Sequence, residues 1–366
     1  MKVLFLTQIP SPYKMDFFAG LGRYTDLTVL FERASAGNRD SEWLRKKPKN
    51  FRAVFLKGKL VGDEMAFCPN VIKYVLDRNY DRIVIGQYSS PTAMLAILIM
   101  KMLRIKYYIS TDGGMAKNEK GLKRTIKSFF MKNAEGYFSP STASDRFLMF
   151  YGADEFKIHR YPFSSVHKSD VLKTPVSLED KVNLRKKLRI EEEKVIISVG
   201  QFIYRKGFDV LLNAAAYLPQ NIGIYIIGGE PTKEYTELIK KYNLETVHFL
   251  KFMKKEQLKE YYMASDLFVL PTREDIWGLV INEALCYGLP IVTTDQCNAG
   301  MELITDSKAG RIVPSDNVEA TKTAILKEMQ EIENDKNKQK NKKALKIAVE
   351  NTIDNMVLKY KEVLGI

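Results

Sequence analysis

The chain reads as two doubly wound α/β domains, and three observations predict this. Short apolar runs alternate with stretches of helical period along most of its length, the pattern of a parallel sheet flanked by helices. Its 366 residues are too many for one ordinary domain and suit two of about 170 each. The polar stretch from Phe163 to Leu178 carries Pro175 and shows no clear period, so it reads as a linker between the halves.

The first strand is expected at Lys2–Thr7. Met1-Lys2 runs straight into Val3-Leu4-Phe5-Leu6, an apolar run of buried-strand length rather than a cleavable leader. Further strands of the first half fall at Leu27–Phe31, Ala53–Leu56, Arg82–Ile85, Lys106–Ile109, Gly136–Phe138 and Ile158–Tyr161. Those of the second half fall at Lys194–Val199, Gly223–Ile227, Val247–Leu250, Leu267–Leu270, Ile291–Thr294 and Gly310–Val313.

Each strand of the second half is followed by a helix-like stretch. Gly207–Leu218 places Phe208, Leu211, Leu212 and Ala215 on one face, and Gly278–Tyr287 does the same with Leu279, Ile281, Leu285 and Cys286. The terminal stretch Thr352–Ile366, with Ile353, Met356, Val357 and Leu364 in helical spacing, is expected to cross back to the first domain. The expected division is therefore 1–165 plus 352–366, a linker at 166–179, and 180–351. Two such domains facing each other would bind ligand at the carboxyl ends of the strands lining their cleft. No Gly-x-Gly-x-x-Gly follows the first strand. Pro10-Ser11-Pro12 stands there instead, which weighs against an ordinary dinucleotide-binding dehydrogenase.

Composition bounds the partners. Hydrophobic residues at 45% and charged residues at 28% fit a globular protein with real cores. The longest apolar stretch, Ala93 to Met100, extends to Leu103 only across Lys101, short of the roughly 20 residues a membrane-spanning helix needs. Cys68, Cys286 and Cys297 make neither a disulfide framework nor a metal spacing and suit a reducing cytoplasm. The expected location is cytoplasmic, with a peripheral place on the inner face of the plasma membrane left open. His159, His167 and His248 are scattered, so no histidine-rich metal site is expected. A net charge of +13 asks for an anionic partner such as a nucleic acid, an acidic membrane or a phosphorylated small molecule. The run Asp335–Lys343 is read as a solvated helix face or loop.

Two segments carry chemistry. In the first, the strand Leu267–Leu270 ends at Pro271, and Thr272-Arg273-Glu274-Asp275 forms a polar loop. Trp277-Gly278 opens a helix ending near Gly288, before the next strand. Asp275 lies in the loop or at the helix N-terminus and Glu283 about two turns on, so both carboxylates could address one side about 12 Å apart. Backbone N–H groups near Gly278 and Leu279 suit a phosphate, aided by the helix dipole. A sugar nucleotide presents hydroxyls at both ends with phosphates between, which fits carboxylates flanking an anion site. In the second segment, Val199-Gly200-Gln201-Phe202-Ile203-Tyr204-Arg205-Lys206-Gly207, a strand-to-helix turn presents two cations. They are placed to hold a diphosphate and to stabilise a departing nucleotide.

Together these segments resemble the retaining glycosyltransferases of the family 4 type, the glycosyl transferases group 1, whose fold is called GT-B. The specific part of the resemblance runs from Lys194 to Pro314 and includes Ile227-Gly228-Gly229, Phe249-Leu250 and Ser265-Asp266-Leu267-Phe268-Val269-Leu270-Pro271. The resemblance implies a nucleotide-diphosphate sugar donor, with a UDP-sugar favoured over a GDP-sugar, no metal and no cofactor, and transfer with retention. Carried onto this chain, Lys206 would contact the donor phosphates, Asp275 the donor sugar and Glu283 the ribose, with Gly278 and Leu279 offering N–H groups. Two positions depart from the family pattern. Asp275 stands where the family has the first Glu of its pair, with Glu274 adjacent as a rival, and Gln201 stands where an Arg is usual. The second phosphate cation would then come from Arg205, or be missing.

The first half resembles the acceptor domain of the same family more weakly. Ile9–Phe18 would follow the first strand and line the cleft, and Thr111-Asp112-Gly113-Gly114 follows Lys106–Ile109. Many relatives carry a histidine in this region. Here Asp112 is the candidate for contact with the reacting sugar or acceptor, and Asp16 for the acceptor, each weighed against a plain turn or capping role. The segment Lys117–Lys132, with Lys117, Lys120, Lys123, Arg124, Lys127 and Lys132 among Leu122, Ile126, Phe129, Phe130 and Met131, reads as a basic amphipathic helix. It could lie on an anionic membrane near the acceptor mouth, or pack on its own domain with its charges solvated.

The expected function is a retaining glycosyltransferase acting on a glycan or lipid-linked acceptor in bacterial surface-polysaccharide assembly. The competing readings are a non-catalytic nucleotide or nucleic-acid binding protein and a GT-B epimerase or phosphorylase. For the first the chain shows no aromatic–basic motif or helix-turn-helix, so no nucleic-acid partner is expected. For the second it shows neither the paired acid–base groups nor the cofactor-binding lysine.

Overall fold

The computed structural model describes residues 1–34, 47–61, 65–115, 119–305, 307–333 and 337–366. The chain divides into two compact units, Met1–Ser165 with Asn351–Ile366, and Val166–Glu350.

The first unit begins with β1 (Lys2–Thr7), α1 (Pro12–Leu21), β2 (Asp26–Phe31) and β3 (Arg52–Phe55). A small antiparallel hairpin of β4 (Lys59–Val61) and β5 (Met65–Phe67) follows, then α2 (Val71–Val75). After these come β6 (Arg82–Ile85), α3 (Pro91–Met102), β7 (Tyr108–Ser110), α4 (Leu122–Met131), β8 (Gly136–Ser139), α5 (Thr142–Phe150) and β9 (Ile158–Arg160). Seven strands form one parallel sheet in the order β3-β2-β1-β6-β7-β8-β9. Continuous apolar runs such as Val3–Leu6 are buried from end to end, as strands covered on both faces require. The strand order reverses between β1 and β6, so the loops after β1, β6 and β7 share one edge.

The second unit opens with α6 (Leu178–Leu188), β10 (Lys194–Val199), α7 (Phe208–Ala215), β11 (Ile222–Ile227), α8 (Lys233–Tyr242), β12 (Val247–Leu250) and α9 (Lys255–Ala264). It continues with β13 (Leu267–Leu270), α10 (Leu279–Cys286), β14 (Ile291–Thr294), α11 (Asn298–Leu303), β15 (Gly310–Val313), α12 (Val318–Glu333) and α13 (Asn337–Glu350). Its six parallel strands run β12-β11-β10-β13-β14-β15, reversing between β10 and β13. That reversal is the switch point where open α/β sheets bind their ligands. Residues 166–179 are counted with this unit: Leu172 N–H donates to the Cys286 carbonyl at 3.0 Å, and Lys255 pairs with Asp170 at 2.6 Å.

The last helix, α14 (Ile353–Leu364), belongs to the first unit. Tyr360 stacks on Phe138 with centroids 3.8 Å apart, and its hydroxyl meets Ser110 Oγ at 2.6 Å.

Two readings of the sequence need correction. The hairpin β4–β5 has no counterpart among the expected strands, because Lys59–Val61 is exposed throughout and shows no alternation. Among the described residues of the expected helix over Lys117–Lys132, the helix spans Leu122–Met131 and is preceded by Gly121 at φ +71°. Lys117 lies outside the described residues, as do Asp335 and Lys336 of the polar run, whereas residues from Asn337 onward are helical.

Candidate functional site

At the switch point of the second unit two loops meet. The one after β10 tightens into a 3-10 turn at Tyr204–Lys206 and leaves it through Gly207, at φ +66°. A side-chain carbon at Gly207 would come within 2.1 Å of the Pro271 carbonyl oxygen, so glycine lets the turn press against the end of β13. The other loop, Thr272–Gly278, is tied to the first through its backbone. Arg273 N–H donates to the Arg205 carbonyl at 2.8 Å, and the Thr272 hydroxyl donates to the same oxygen at 2.9 Å.

This docking brings Lys206 Nζ to 2.5 Å from Asp275 Oδ2, with both side chains about nine-tenths covered. Arg205 Nη1 donates to the Glu274 carbonyl at 2.6 Å and lies 3.4 Å from Asp275 Oδ1. Asp275 therefore sits between two cations, while the adjacent Glu274 is exposed. Asp275 is in the loop and not on the helix. Its N–H donates to the Gln296 carbonyl, and its own carbonyl accepts from Asn298 N–H. The two-turn helical spacing to Glu283 consequently does not describe their geometry.

Gly278, at φ +99°, caps α10, and a side-chain carbon there would lie 2.8 Å from Cys297 Sγ. The first-turn N–H groups of Leu279 and Val280 have no carbonyl one turn back within the helix, which leaves them for a ligand or water. Trp277 is buried and donates from its indole to Asn282 Oδ1 at 2.8 Å, so it packs the loop. Further along α10, half-buried Glu283 accepts a hydrogen bond from the Tyr262 hydroxyl at 3.3 Å. Burial, and then the Glu283 charge, push that phenol well above its ordinary range. Burial likewise raises the Cys297 thiol to about 12, so it is no thiolate near neutral pH.

Sequence reasoning passed over Arg273. Its guanidinium pairs with both oxygens of Asp209, at 2.8 and 2.5 Å, and with Asp316 at 2.6 Å. It also donates to the Tyr204 carbonyl at 2.7 Å and lies over the Tyr204 ring, 4.0 Å from its centroid. The hydrogen bonds to Asp209, more than its charge, hold Arg273 more firmly protonated than usual. Its partners are scattered along the chain, so no local pattern marks it.

In the first unit, Asp112 follows β7 and accepts from the Tyr13 hydroxyl at 2.9 Å and from Lys14 Nζ at 3.0 Å. Lys14 also reaches Thr7 Oγ1 at 3.1 Å. The first turn of α1 and the loop after β7 are thus joined through one carboxylate. Asp16 is half-buried on α1, one turn on from Tyr13. Among the described residues, no group of three or more His, Cys, Asp or Glu side chains could hold a metal ion.

Known proteins match this architecture. Residues 180–345 match the family model described as glycosyl transferases group 1. An uncharacterized glycosyltransferase of Methanocaldococcus jannaschii is 31% identical over 125 residues, 32% of either chain. The lipopolysaccharide glucosyltransferase WaaG of Escherichia coli is 28% identical over 128 residues, 34% of this chain and 33% of that one. The chain thus spans about a third of the length of these curated relatives. Among solved structures, Anabaena HepE in complex with UDP superposes with a TM-score of 0.80 over 100% of both chains at 19% identity. This likeness concerns the fold, and the fold class is GT-B, with two Rossmann-like domains. The second unit is thus similar to the glycosyl transferases group 1 over residues 180–345.

Proposed function

We propose that the chain is a metal-independent retaining glycosyltransferase that moves a sugar from a nucleotide-diphosphate donor, UDP-linked by preference, to a glycan or lipid-linked acceptor. The observation that carries this reading is the Lys206–Asp275 pair at the switch point of the second sheet. Breaking the bond between the anomeric carbon and the diphosphate oxygen leaves positive charge on the sugar and negative charge on the diphosphate. A carboxylate and an ammonium held 2.5 Å apart match that separation, and preset charges of this kind stabilise a transition state without reorganising.

In this reading Lys206 and Arg205 receive the leaving diphosphate, supplying the charge a metal ion would otherwise bring. The N–H groups of Gly278 and Leu279 add to the anion site. Asp275 faces the sugar and Glu283, held by Tyr262, takes the ribose hydroxyls. Glu274 is exposed, whereas the Asp275 carboxylate is covered and meets Lys206, which favours Asp275 for the sugar contact. The acceptor hydroxyl attacks from the face the diphosphate leaves, and its proton passes to a leaving phosphate oxygen. Asp112 and Asp16, in the first unit, are assigned to the acceptor side.

The UDP in HepE supports a UDP-linked donor, and the lipopolysaccharide glucosyltransferase relative supports a surface-polysaccharide role. The same reading places the chain in the cytoplasm, peripheral at the inner face of the plasma membrane. No helix among the described residues is long and apolar enough to cross one. The test is UDP release from a panel of UDP- and GDP-sugars with and without acceptor. Full transfer by Asp275→Ala or Glu283→Ala would overturn the assignment. Recovery of an epimerised donor, or tight nucleotide binding with no turnover, would point to the competing readings.

A further inference from the structure

Helix α4 buries only Met131 completely. Leu122, Ile126 and Phe129 are 76%, 43% and 48% exposed, and beside them the end of α3 exposes Met102 and Leu103. Two hollows flank Phe129. One of about 450 Å³ is lined by Lys101, Arg104, Tyr107 and Lys132 among others, and one of about 730 Å³ by Lys120, Arg124, Lys132 and Phe150.

The charges divide into two groups. Lys123 and Lys127 are taken up by Glu119, at 3.5 and 2.7 Å, and Lys106 by Glu135 at 3.0 Å. Among the described residues, Arg104, Lys120, Arg124 and Lys132 have no acidic partner. Arg124 lies over the Phe150 ring, 4.2 Å from its centroid. Lys101 Nζ donates to the Lys132 carbonyl at 2.6 Å, and burial together with the Lys132 charge makes its ammonium easier to deprotonate than usual. The Tyr107 hydroxyl is buried without a hydrogen-bond partner, which buried hydroxyls seldom tolerate.

A helix face that is merely solvated explains the cations but not the five apolar side chains standing among them. We infer that these hollows between α3, α4 and α5 are seats for the phosphate headgroups of an anionic lipid bilayer. Met102, Leu103, Leu122, Ile126 and Phe129 enter the acyl boundary beside them. The inference rests on the membrane-peripheral reading above and specifies its surface. Unpaired cations attract the phosphates, the hollows admit them, and the apolar side chains gain burial that no soluble anion offers. The cations that do the binding are Arg104, Lys120, Arg124 and Lys132 rather than Lys123 and Lys127.

The test is co-sedimentation of the full chain with phosphatidylcholine vesicles, either pure or containing phosphatidylglycerol, at low and physiological salt. Binding is expected only to the anionic vesicles. It should weaken roughly fivefold for each charge removed in Arg104→Gln and Lys132→Gln, and also in Phe129→Ser. Lys123→Gln should leave it nearly unchanged. Thermal unfolding of each variant separates lost binding from lost folding, and Lys120→Gln, far out in solvent, serves if Lys132→Gln unfolds. No binding to anionic vesicles overturns the inference. So does equal binding by Phe129→Ser together with full competition by inorganic phosphate, which marks a free-anion site, and so does preferential binding to nucleic acid. Titration with UDP-sugar in the absence of vesicles reads the donor site independently, so failure here leaves the transferase reading to its own test.

Discussion

Lys206 Nζ and Asp275 Oδ2 lie 2.5 Å apart although 69 residues separate them in the chain. Each arrives on its own strand-to-helix loop, one after β10 and one after β13. Neither loop alone specifies the pair.

Removing Asp275 leaves the covered Lys206 ammonium without the carboxylate it meets, and removing Lys206 leaves Asp275 only the longer contact to Arg205 at 3.4 Å. Lys206→Met and Asp275→Asn should each lower turnover by about 10²–10³-fold, the effect of deleting one preset transition-state charge. Glu274→Ala should remain within a few-fold of the unaltered chain. Steady-state kinetics with a saturating UDP-sugar checks this, and equal losses at Glu274 and Asp275 would contradict the assignment.

Arg273 should act through the loops it ties and not by touching the donor. Arg273→Lys keeps the charge but loses the two-pronged bond to Asp209 and the stacking on Tyr204. The expected result is a raised KM for the donor together with a reduced kcat, and a lowered Tm worth about 1–3 kcal/mol for broken charged hydrogen bonds. A fall in Tm with unchanged kinetics would make Arg273 a stabiliser only.

Gly207 should tolerate no side chain. Gly207→Ala sets an alanine at φ +66° against the Pro271 carbonyl, at a cost of about 1–3 kcal/mol of strain. The turn bearing Arg205 and Lys206 would be displaced. Weakened UDP binding, read by calorimetry, is the expected outcome, whereas native affinity would show that the turn can shift without consequence.

Glu32 should make the first unit pH-sensitive. It is buried at the end of β2, with the Ser90 hydroxyl donating to Oε1 and Ala66 N–H donating to Oε2 at 3.2 Å. Burial raises its carboxyl from 4.5 to about 7. The folded state thus holds the proton more tightly than the unfolded chain. The resulting stabilisation is complete below pH 4.5 and is lost as pH rises through about 7. Urea unfolding between pH 5 and 8 should show stability falling by on the order of 2 kcal/mol, and Glu32→Gln should flatten the slope. An unchanged slope in that variant would assign the pH dependence elsewhere.

Much of the fold was legible because its signals are local. Thirteen strands of the two parallel sheets coincide with short apolar runs bounded by Gly, Pro and polar residues, within a residue or two. The hairpin β4–β5 was not legible, since exposed Leu60 and Val61 carry no burial pattern. In the site, the cations at Arg205 and Lys206 and the acids at Glu274 and Asp275 could be read from their places after strands. Which acid meets which cation could not.

What the sequence by itself determined is therefore the order of the elements, the switch-point loops that carry charge, and the family they resemble. Hydrophobic period and turn residues act over a few positions, and a reader of the chain sees them directly. The tertiary structure decided that Asp275, not Glu274, faces Lys206, and that Arg273 fastens both loops. It also decided that Glu119 pairs with Lys123 and Lys127, while Arg104, Lys120, Arg124 and Lys132 meet no acid among the described residues. Each of these depends on side chains meeting across folded loops or across a helix and its neighbours. Coulomb and hydrogen-bond energies are set by that distance in space, to which separation along the chain is no guide.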